Sequence, residues 1–200
     1  MDNQQALTEP EKAWLCGFFD GEGCVDLNVA QNAQAKKRNT TKQWIIVPRL
    51  TVVNTHYPTI MRWKELLDRA GVGVYVAARK MYSAKHNQSW TATTHGHKRC
   101  LKAVKILSAY SVTKKKQLEI MSRWLQHREE NYAYTLKDYD LYIEAKTEIN
   151  GKGPNDSTLR HIYESCTAPE YTSTNRVGVK RGPYRNSRPK DLECKVESGL

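Results

Sequence analysis

The sequence is poor in acidic residues over much of its length, and this scarcity is its first functional clue. Between Leu27 and Leu118 there are two acids, Glu65 and Asp68, against 18 lysines and arginines. The whole chain carries 32 basic and 21 acidic side chains, a net charge of +11. Because the basic excess is concentrated in one region, it predicts a polyphosphate partner, and a merely solvated surface is the weaker interpretation.

Two further absences exclude other classes of protein. No apolar run approaches the roughly 18 residues that a membrane span needs, and residues 1–9 are too polar and acidic for a secretory signal or an Arg-rich transit peptide. The cysteines stand alone without a CxxC pair, so we expect a reduced, intracellular protein without structural zinc. An organelle (chloroplast or mitochondrion), a prokaryote and a phage all stay open as the source.

Hydrophobic periodicity predicts an α+β fold with the element order α-β-β-α-β-β-α-α. The first helix begins at a capping box formed by Thr8 and Glu11, and Gly21 and Gly23 are expected to end it near Asp20. The other predicted elements are strands at 24–29 and 44–53, a helix at 58–70, strands at 74–82 and 89–94, and helices at 98–109 and 114–130. Pro48 in the second strand suggests a sheet edge or a bulge.

The pattern weakens after residue 131. A further helix over 136–149 would end at Gly151, and a short helix is expected at about 158–166. From residue 167 the chain is rich in Pro, Gly, Ser, Lys and Arg, which is typical of a mobile basic tail. We therefore divide the chain into a core domain, 1–150, and a basic, flexible extension, 151–200.

The segment Leu15-Cys-Gly-Phe-Phe-Asp-Gly-Glu-Gly23 carries the most specific pattern. Gly17 and Gly21 are four residues apart on one helix face, flanked by Trp14 and Phe18, so another backbone could approach that face closely. A carboxylate at the helix end, beside freed backbone carbonyls, suits a hard cation such as Mg²⁺. On spacing alone, a glycine-terminated helix with ordinary solvated acids is the favoured interpretation.

This segment resembles the nine-residue signature of the LAGLIDADG homing endonucleases, and the order of elements after it resembles the single-motif, homodimeric branch of that family. The resemblance covers roughly residues 8–130. It includes the junction Val53-Asn54-Thr55, the turn Ala70-Gly-Val-Gly73 and the helix start Tyr110-Ser-Val-Thr-Lys-Lys-Lys-Gln117. It implies an antiparallel β-sheet saddle on DNA with helices packed behind it.

The resemblance also implies roles for individual residues. Glu22 is the metal ligand, with the Gly21 carbonyl as a second donor, and the cofactor is Mg²⁺, with Mn²⁺ as a substitute. Asn54 orients the attacking water, with Thr55 and His56 as register alternatives, and Lys114, flanked by Lys115 and Lys116, supports the site. Asp20 serves the helix end and the dimer contact. The implied dimer interface consists of Trp14, Gly17, Phe18, Asp20 and Gly21.

The implied reaction is metal-assisted hydrolysis of phosphodiesters, with one active site per subunit and one per DNA strand. Strand side chains alternate, so one sheet face would read DNA in the major groove. The candidate DNA-binding residues in the strands are Asp26, Asn28, Arg49, Thr51, Tyr75, Arg79, Thr91 and Thr93. Lys36, Lys37, Arg38, Lys80 and Lys85 are expected to hold phosphates. A register slip of one residue would exchange the two faces.

Two other hypotheses compete with an active homing endonuclease. The first keeps the fold without cutting, as an intron RNA maturase or a DNA-binding regulator. The second is an unrelated basic binding protein, which leaves the nine-residue motif and the Lys114 helix unexplained. The presence of both Glu22 and Lys114 favours the enzyme, because a pure binder has no chemical need for them.

Overall fold

A computed structural model of the chain describes residues 6–31, 44–81, 87–130 and 135–167. The elements there follow the predicted α-β-β-α-β-β-α-α order, and two more helices come after it. They are α1 (Glu9–Glu22), β1 (Gly23–Gln31), β2 (Trp44–Asn54), α2 (Tyr57–Arg69), β3 (Tyr75–Ala78), β4 (Trp90–His95), α3 (His97–Leu107), α4 (Lys115–Glu130), α5 (Leu136–Asn150) and α6 (Asp156–Thr167). Most of the two predicted hairpin tips lies outside the described residues.

The four strands form one antiparallel sheet in the order β1-β2-β4-β3. Side chains alternate along a strand, and one face of the sheet packs against the helices, where Val25, Leu27, Leu50, Val52 and Ala92 are buried. The opposite side of the sheet, here called the open face, has no buried residue in these strands. Its residues are Cys24, Asp26, Asn28, Ala30, Ile45, Val47, Arg49, Thr51, Val53, Tyr75, Ala77, Thr91, Thr93 and His95. The predicted strand alternation is therefore confirmed.

Pro48 lies neither on an edge strand nor at a bulge. It pairs with Leu27 in an uninterrupted register, and β2 has a neighbour on each side. The pairing of β2 with β4 begins one residue later, at Arg49. The nitrogen of Pro48, which has no hydrogen to donate, therefore lies beyond the end of β4 and leaves no strand hydrogen bond unmade. The Pro48 carbonyl there accepts the Gly96 amide at 3.2 Å. A locally open flank thus tolerates a proline inside a central strand.

Helix α1 begins as predicted and ends later than predicted. The capping box of Thr8 and Glu11 is present. The helix continues through Gly21 to Glu22, and the chain becomes extended at Gly23. A Cβ atom at Gly23 would lie 2.2 Å from the Phe19 carbonyl oxygen, whereas one at Gly21 would meet nothing within 4 Å. Gly23 is therefore the residue that the helix-to-strand turn requires, and Gly21 does not stop the helix.

The compact unit extends beyond the predicted boundary at residue 150, as far as Pro169. Gly151, in the left-handed conformation with φ 68°, ends α5 as predicted. Residues 156–167 form helix α6, close to the short helix expected at about 158–166, but they pack in the core and are not part of a flexible extension. Ile162 and Cys166 on this helix are buried in the core, and the rings of His161 and Trp44 stack with centroids 3.8 Å apart.

None of the helices in the described ranges is long and apolar enough to cross a bilayer. The four cysteines that fall within those ranges, Cys16, Cys24, Cys100 and Cys166, carry free thiols.

A charged network joins the first turn of α1 to α2. Arg69 donates two hydrogen bonds to the Glu11 carboxylate, at 2.8 and 3.1 Å, and Arg62 donates a third at 3.4 Å. The Arg69 hydrogen bonds and the Thr8 amide lower the pKa of Glu11 from its ordinary 4.5 to about 2. A bidentate arginine–carboxylate contact between two helices fixes their relative orientation.

We expect Glu11→Gln to be less stable than wild type at pH 7. Because the pKa of Glu11 is lowered on folding, its ionic contribution is complete above pH 4.5 and is lost as the pH falls towards 2. Urea unfolding at several pH values should show the two proteins converging over this interval. Glu65→Gln is the matched control, because Glu65 pairs with Arg62 within the same helix. A stability difference that does not change with pH would contradict this account.

Candidate active site and nucleic-acid interface

The carboxylate of Glu22 lies at the last position of α1 and is exposed to solvent. It has no hydrogen-bond or ion-pair partner among the described residues, in contrast to Asp20 two positions earlier. The Phe19 and Asp20 carbonyls at this helix end accept the Gly23 amide and the Thr113 hydroxyl. Glu22 is thus an unpartnered carboxylate at the helix end, and Gly21, whose carbonyl is the second predicted donor, directly precedes it.

Asp20 holds the segment before α4 against the end of α1. Its carboxylate accepts hydrogen bonds from the Ser111 hydroxyl, the Val112 amide at 2.6 Å and the Lys114 amide at 3.1 Å. Burial alone would raise the pKa of Asp20, but these hydrogen bonds outweigh it and hold the pKa below its ordinary value. The Asp20 carboxylate is therefore engaged at the helix end within its own chain, and its part in a dimer contact stays a prediction.

The same contact brings Lys114 to the base of α1. Its amide is bonded to a residue only two positions before Glu22, and α4 starts at the next residue. No side-chain partner of Lys114 exists in the described part of the chain. The Asp20 carboxylate thus ties the backbone of Lys114 to the helix end that carries Glu22.

Asn54 is the last residue of β2 and lies at the same end of the sheet. Gly23, the first residue of β1, pairs with Val52, two positions before Asn54. The Asn54 side-chain oxygen accepts the His56 amide at 2.8 Å, which closes the turn into α2. Of the register alternatives, His56 has its ring nitrogen within 2.7 Å of the Thr59 hydroxyl, and Thr55 is exposed.

The face of α1 that carries the two spaced glycines is uncovered in the subunit. Gly17 and Gly21 are exposed, and a Cβ at either would have no neighbour within 4 Å. Trp14 beside them is 38 % exposed and stacks on Phe18, with ring centroids 5.4 Å apart. Phe18 is half-buried and also contacts Trp63, so part of its surface belongs to the subunit core.

The open face brings together most of the predicted DNA-binding residues. Asp26, Asn28, Arg49, Thr51, Tyr75, Thr91 and Thr93 all lie on it, and Thr51 and Thr93 are directly opposite each other, with their hydroxyls 3.3 Å apart. Arg79 follows β3 and continues its pairing through a 2.9 Å bond to the Ser89 carbonyl. Lys80 is exposed next to it. Lys36, Lys37, Arg38 and Lys85 lie outside the described residues.

Three residues of these sites were not predicted. Ser111 is buried and donates to Asp20, and a hydroxyl residue shortly before a helix was an available signal for such a contact. His95 lies opposite Arg49 at the end of β4, where strand alternation continued by two residues would have placed it. Lys146 on α5 bonds to Asp26, 120 positions away in sequence, and no local pattern could have indicated that contact.

The donor set at the base of α1 fits a divalent metal only in part. Within the described ranges no group of three or more His, Cys, Asp or Glu side chains could hold a metal ion. One subunit offers Glu22 and backbone carbonyl oxygens, which are ligands that Mg²⁺ accepts. A single carboxylate is a small share of an octahedral set, so a complete site would need water, phosphate oxygens or a second subunit.

We expect Asp20→Asn to lower stability at pH 7 by about 1–3 kcal/mol, because one acceptor oxygen becomes an amide that faces donors. Since the pKa of Asp20 is lowered on folding, the difference should shrink as the pH falls below about 4. Urea unfolding measures both effects. Glu22→Gln is the matched control at the same helix end and should leave stability unchanged, because Glu22 has no partner in the described structure. Equal losses of stability in the two variants would contradict the role of Asp20 in holding the segment before α4.

No protein-family profile and no curated protein sequence matches the chain. Solved structures do match it. The homing endonuclease I-CvuI in complex with the I-CreI target has a TM-score of 0.52 at 16 % identity, covering 78 % of this chain and 92 % of that one. The archaeal intron-encoded homing endonuclease I-Vdi141I, complexed with DNA, has a TM-score of 0.56 at 15 % identity, covering 78 % and 96 %.

The meganuclease I-SmaMI, bound to uncleaveable DNA, also matches, with a TM-score of 0.57 at 16 % identity. Here 82 % of this chain corresponds to 52 % of the other. At these identities the similarity concerns the fold, and it confirms the fold class predicted from the sequence.

Proposed function

The chain has the fold of the LAGLIDADG homing endonucleases, and on this basis we propose that it is a sequence-specific DNA endonuclease. In this proposal it acts in intron homing and, as a homodimer, makes a double-strand break at a long pseudo-palindromic site. The observation that carries the proposal is the base of α1. There an unpartnered carboxylate, Glu22, lies two residues from the Asp20 side chain that holds Lys114.

The uncovered face of α1 supports the homodimer. Two exposed glycines with open space around them allow a second backbone to approach closely, and a two-fold axis would pair this face with itself. The coverage of the solved structures agrees, since the chain spans nearly all of I-CvuI and I-Vdi141I but about half of I-SmaMI. These coverages support a protein in which one chain forms one half of a two-site enzyme, and packing of α1 on its mate would bring two Glu22 carboxylates together.

Hydrolysis would use the groups gathered at this helix end. A bound divalent cation, Mg²⁺ or Mn²⁺, supplies Lewis acidity and a more acidic water. Glu22, with the Gly21 carbonyl, would hold it, and structures of I-CvuI were obtained in the presence of Mg or Ca. The Lys114 ammonium would oppose the negative charge that grows on the phosphate. The Asn54 oxygen is engaged with His56, so its NH₂ group is the part left to orient water.

Sequence recognition would fall to the open face. It is a four-stranded surface whose one acid among the described strand residues, Asp26, is paired with cations. The threonine and arginine side chains there offer donors and acceptors to base edges. A two-fold dimer would present this surface twice, which matches a pseudo-palindromic target.

The catalytic assignment predicts that Glu22→Gln binds the target and does not cut it. The substrate is a duplex spanning the insertion point of the intron that encodes the protein, assayed with Mg²⁺ by gel electrophoresis, with binding measured by mobility shift. Wild type should produce a double-strand break, and the variant should lose at least about 100-fold in cutting rate, as for loss of a group that stabilises the transition state. Equal cutting by wild type and Glu22→Gln would contradict the catalytic assignment. Binding without cutting by wild type would favour a nucleic-acid-binding protein of the same fold that lacks nuclease activity.

The interface assignment predicts that Gly17→Leu lowers the mass of the protein in solution from two chains to one, as measured by light scattering. The added side chain has open space within the subunit, so folding monitored by circular dichroism should be retained. Lys105→Leu places the same side chain at an exposed position of α3 and is the matched control. A Gly17→Leu protein that remains dimeric would exclude this helix face as the interface.

A further inference from the structure

The carboxylate of Asp26 lies between two cations on the open face. Arg49, directly opposite on β2, places its Nη2 atom 2.8 Å from Asp26 Oδ2. Lys146 of α5 bonds to the other oxygen, Oδ1, and lies 3.1 Å from the Leu27 carbonyl. The side chains of Asp26 and Lys146 are 15 % and 17 % exposed, whereas that of Arg49 is 42 % exposed. Asp26 and Lys146 thus form the inner, less exposed part of this cluster, and the Arg49 guanidinium is the part that faces outward.

We propose that Asp26 does not contact DNA itself and is instead a positioning residue, held by Lys146, that presents Arg49 to one guanine of the target. This inference rests on the proposed function, because it concerns DNA recognition by the open face. It changes the role predicted for Asp26 from direct contact to indirect support, and it adds Lys146, which the sequence did not indicate.

Charge favours this division of roles. A carboxylate that pointed freely at a polyanion would be repelled, and removal of its water would be costly. Both Asp26 oxygens already accept hydrogen bonds from cations, and the side chain is only 15 % exposed, so little of the carboxylate is accessible to a nucleobase. Asp26 carries one negative charge, and Arg49 and Lys146 carry one positive charge each, so the three side chains together have a net positive charge. Such a charge suits a surface that approaches phosphates.

The geometry of Arg49 supports the other half of the proposal. In the described structure its side chain donates through Nη2 alone, although a guanidinium carries five N–H donors. The remaining donors can form the bidentate contact to guanine O6 and N7. An arginine fixed by a carboxylate loses less conformational freedom on binding than a free one, so the fixed orientation improves both affinity and discrimination.

Lys146 gives the arrangement its rigidity. The Leu27 carbonyl points away from β2, towards the outer edge of the sheet, because its partner Pro48 turns its own polar atoms towards β4. Lys146 therefore reaches around that edge from α5 to fix both this carbonyl and Asp26. In this way a helix beyond the segment that resembles the family would support the recognition surface.

The test is a binding selection on randomised DNA duplexes with the purified protein in Ca²⁺, followed by sequencing of the bound pool. Wild type should prefer guanine at one position of each half-site by about five- to 150-fold. Arg49→Lys identifies that position by losing the preference there. Asp26→Ala and Lys146→Met should reduce the preference at the same position to a few-fold or less, while affinity for the pool as a whole changes by less than about fivefold.

Asn28→Ala is the matched control, because Asn28 is the next outward residue on β1 and has no partner in the described structure. It should leave the Arg49-dependent position unchanged. A purely structural role for Asp26 would weaken binding to all sequences equally, and a direct contact by Asp26 would alter a position that Arg49→Lys does not. Either result would overturn the inference. If wild type enriches no sequence at all, the proposed sequence-specific function is wrong, whatever the variants show. Failure of the proposed function and failure of this inference therefore give different results.

Discussion

The passage of the chain from helix to strand at Gly23 is the constraint on which the rest of the site depends. A Cβ atom there would lie 2.2 Å from the Phe19 carbonyl oxygen, so the backbone of β1 starts in direct contact with the last turn of α1. Phe19 is fully buried against Trp63, which fixes that turn in the core. Glu22 thus has a defined place although its carboxylate has no hydrogen-bond or ion-pair partner in the described structure. A rigid helix end with an unpartnered carboxylate is suited to hold a ligand with little reorganisation on binding.

The two acids at this helix end have opposite roles because their surroundings differ. Asp20 faces backbone amides and a hydroxyl from the segment before α4, which stabilise its charge and consume its acceptor capacity. Glu22, half a turn further, faces solvent. Asp20 is therefore a structural acid, and Glu22 is an acid available to a ligand. Asp20 holds the Lys114 backbone at the helix end that carries Glu22, so the fold and the proposed site depend on the same contact.

The sequence predicted the element order, the buried face of α2 and the strand alternation, because these depend on local periodicity and on which residues must avoid water. It misjudged the end of α1, since whether Gly21 or Gly23 stops a helix depends on which of them meets another part of the chain. The packing of α6 and the contact of Lys146 with Asp26 were out of reach for the same reason. The site residues at the base of α1 were identified through family resemblance, and spacing alone favoured an ordinary helix end.

Acids are scarce between Leu27 and Leu118, and two acids that lie just before this stretch, Asp26 and Glu22, differ in whether they are paired with cations. A sheet face that must approach phosphates can keep a carboxylate only if cations neutralise it, and Asp26 is in contact with two. At the base of α1 the opposite holds, since an acid that is to bind a cation must remain unpaired, and Glu22 is. An acidic side chain is thus paired where it would repel DNA and unpaired where it would bind metal. Under the proposed function, this difference in pairing, more than the net charge, distinguishes the sheet face that would contact DNA from the helix end that would bind metal.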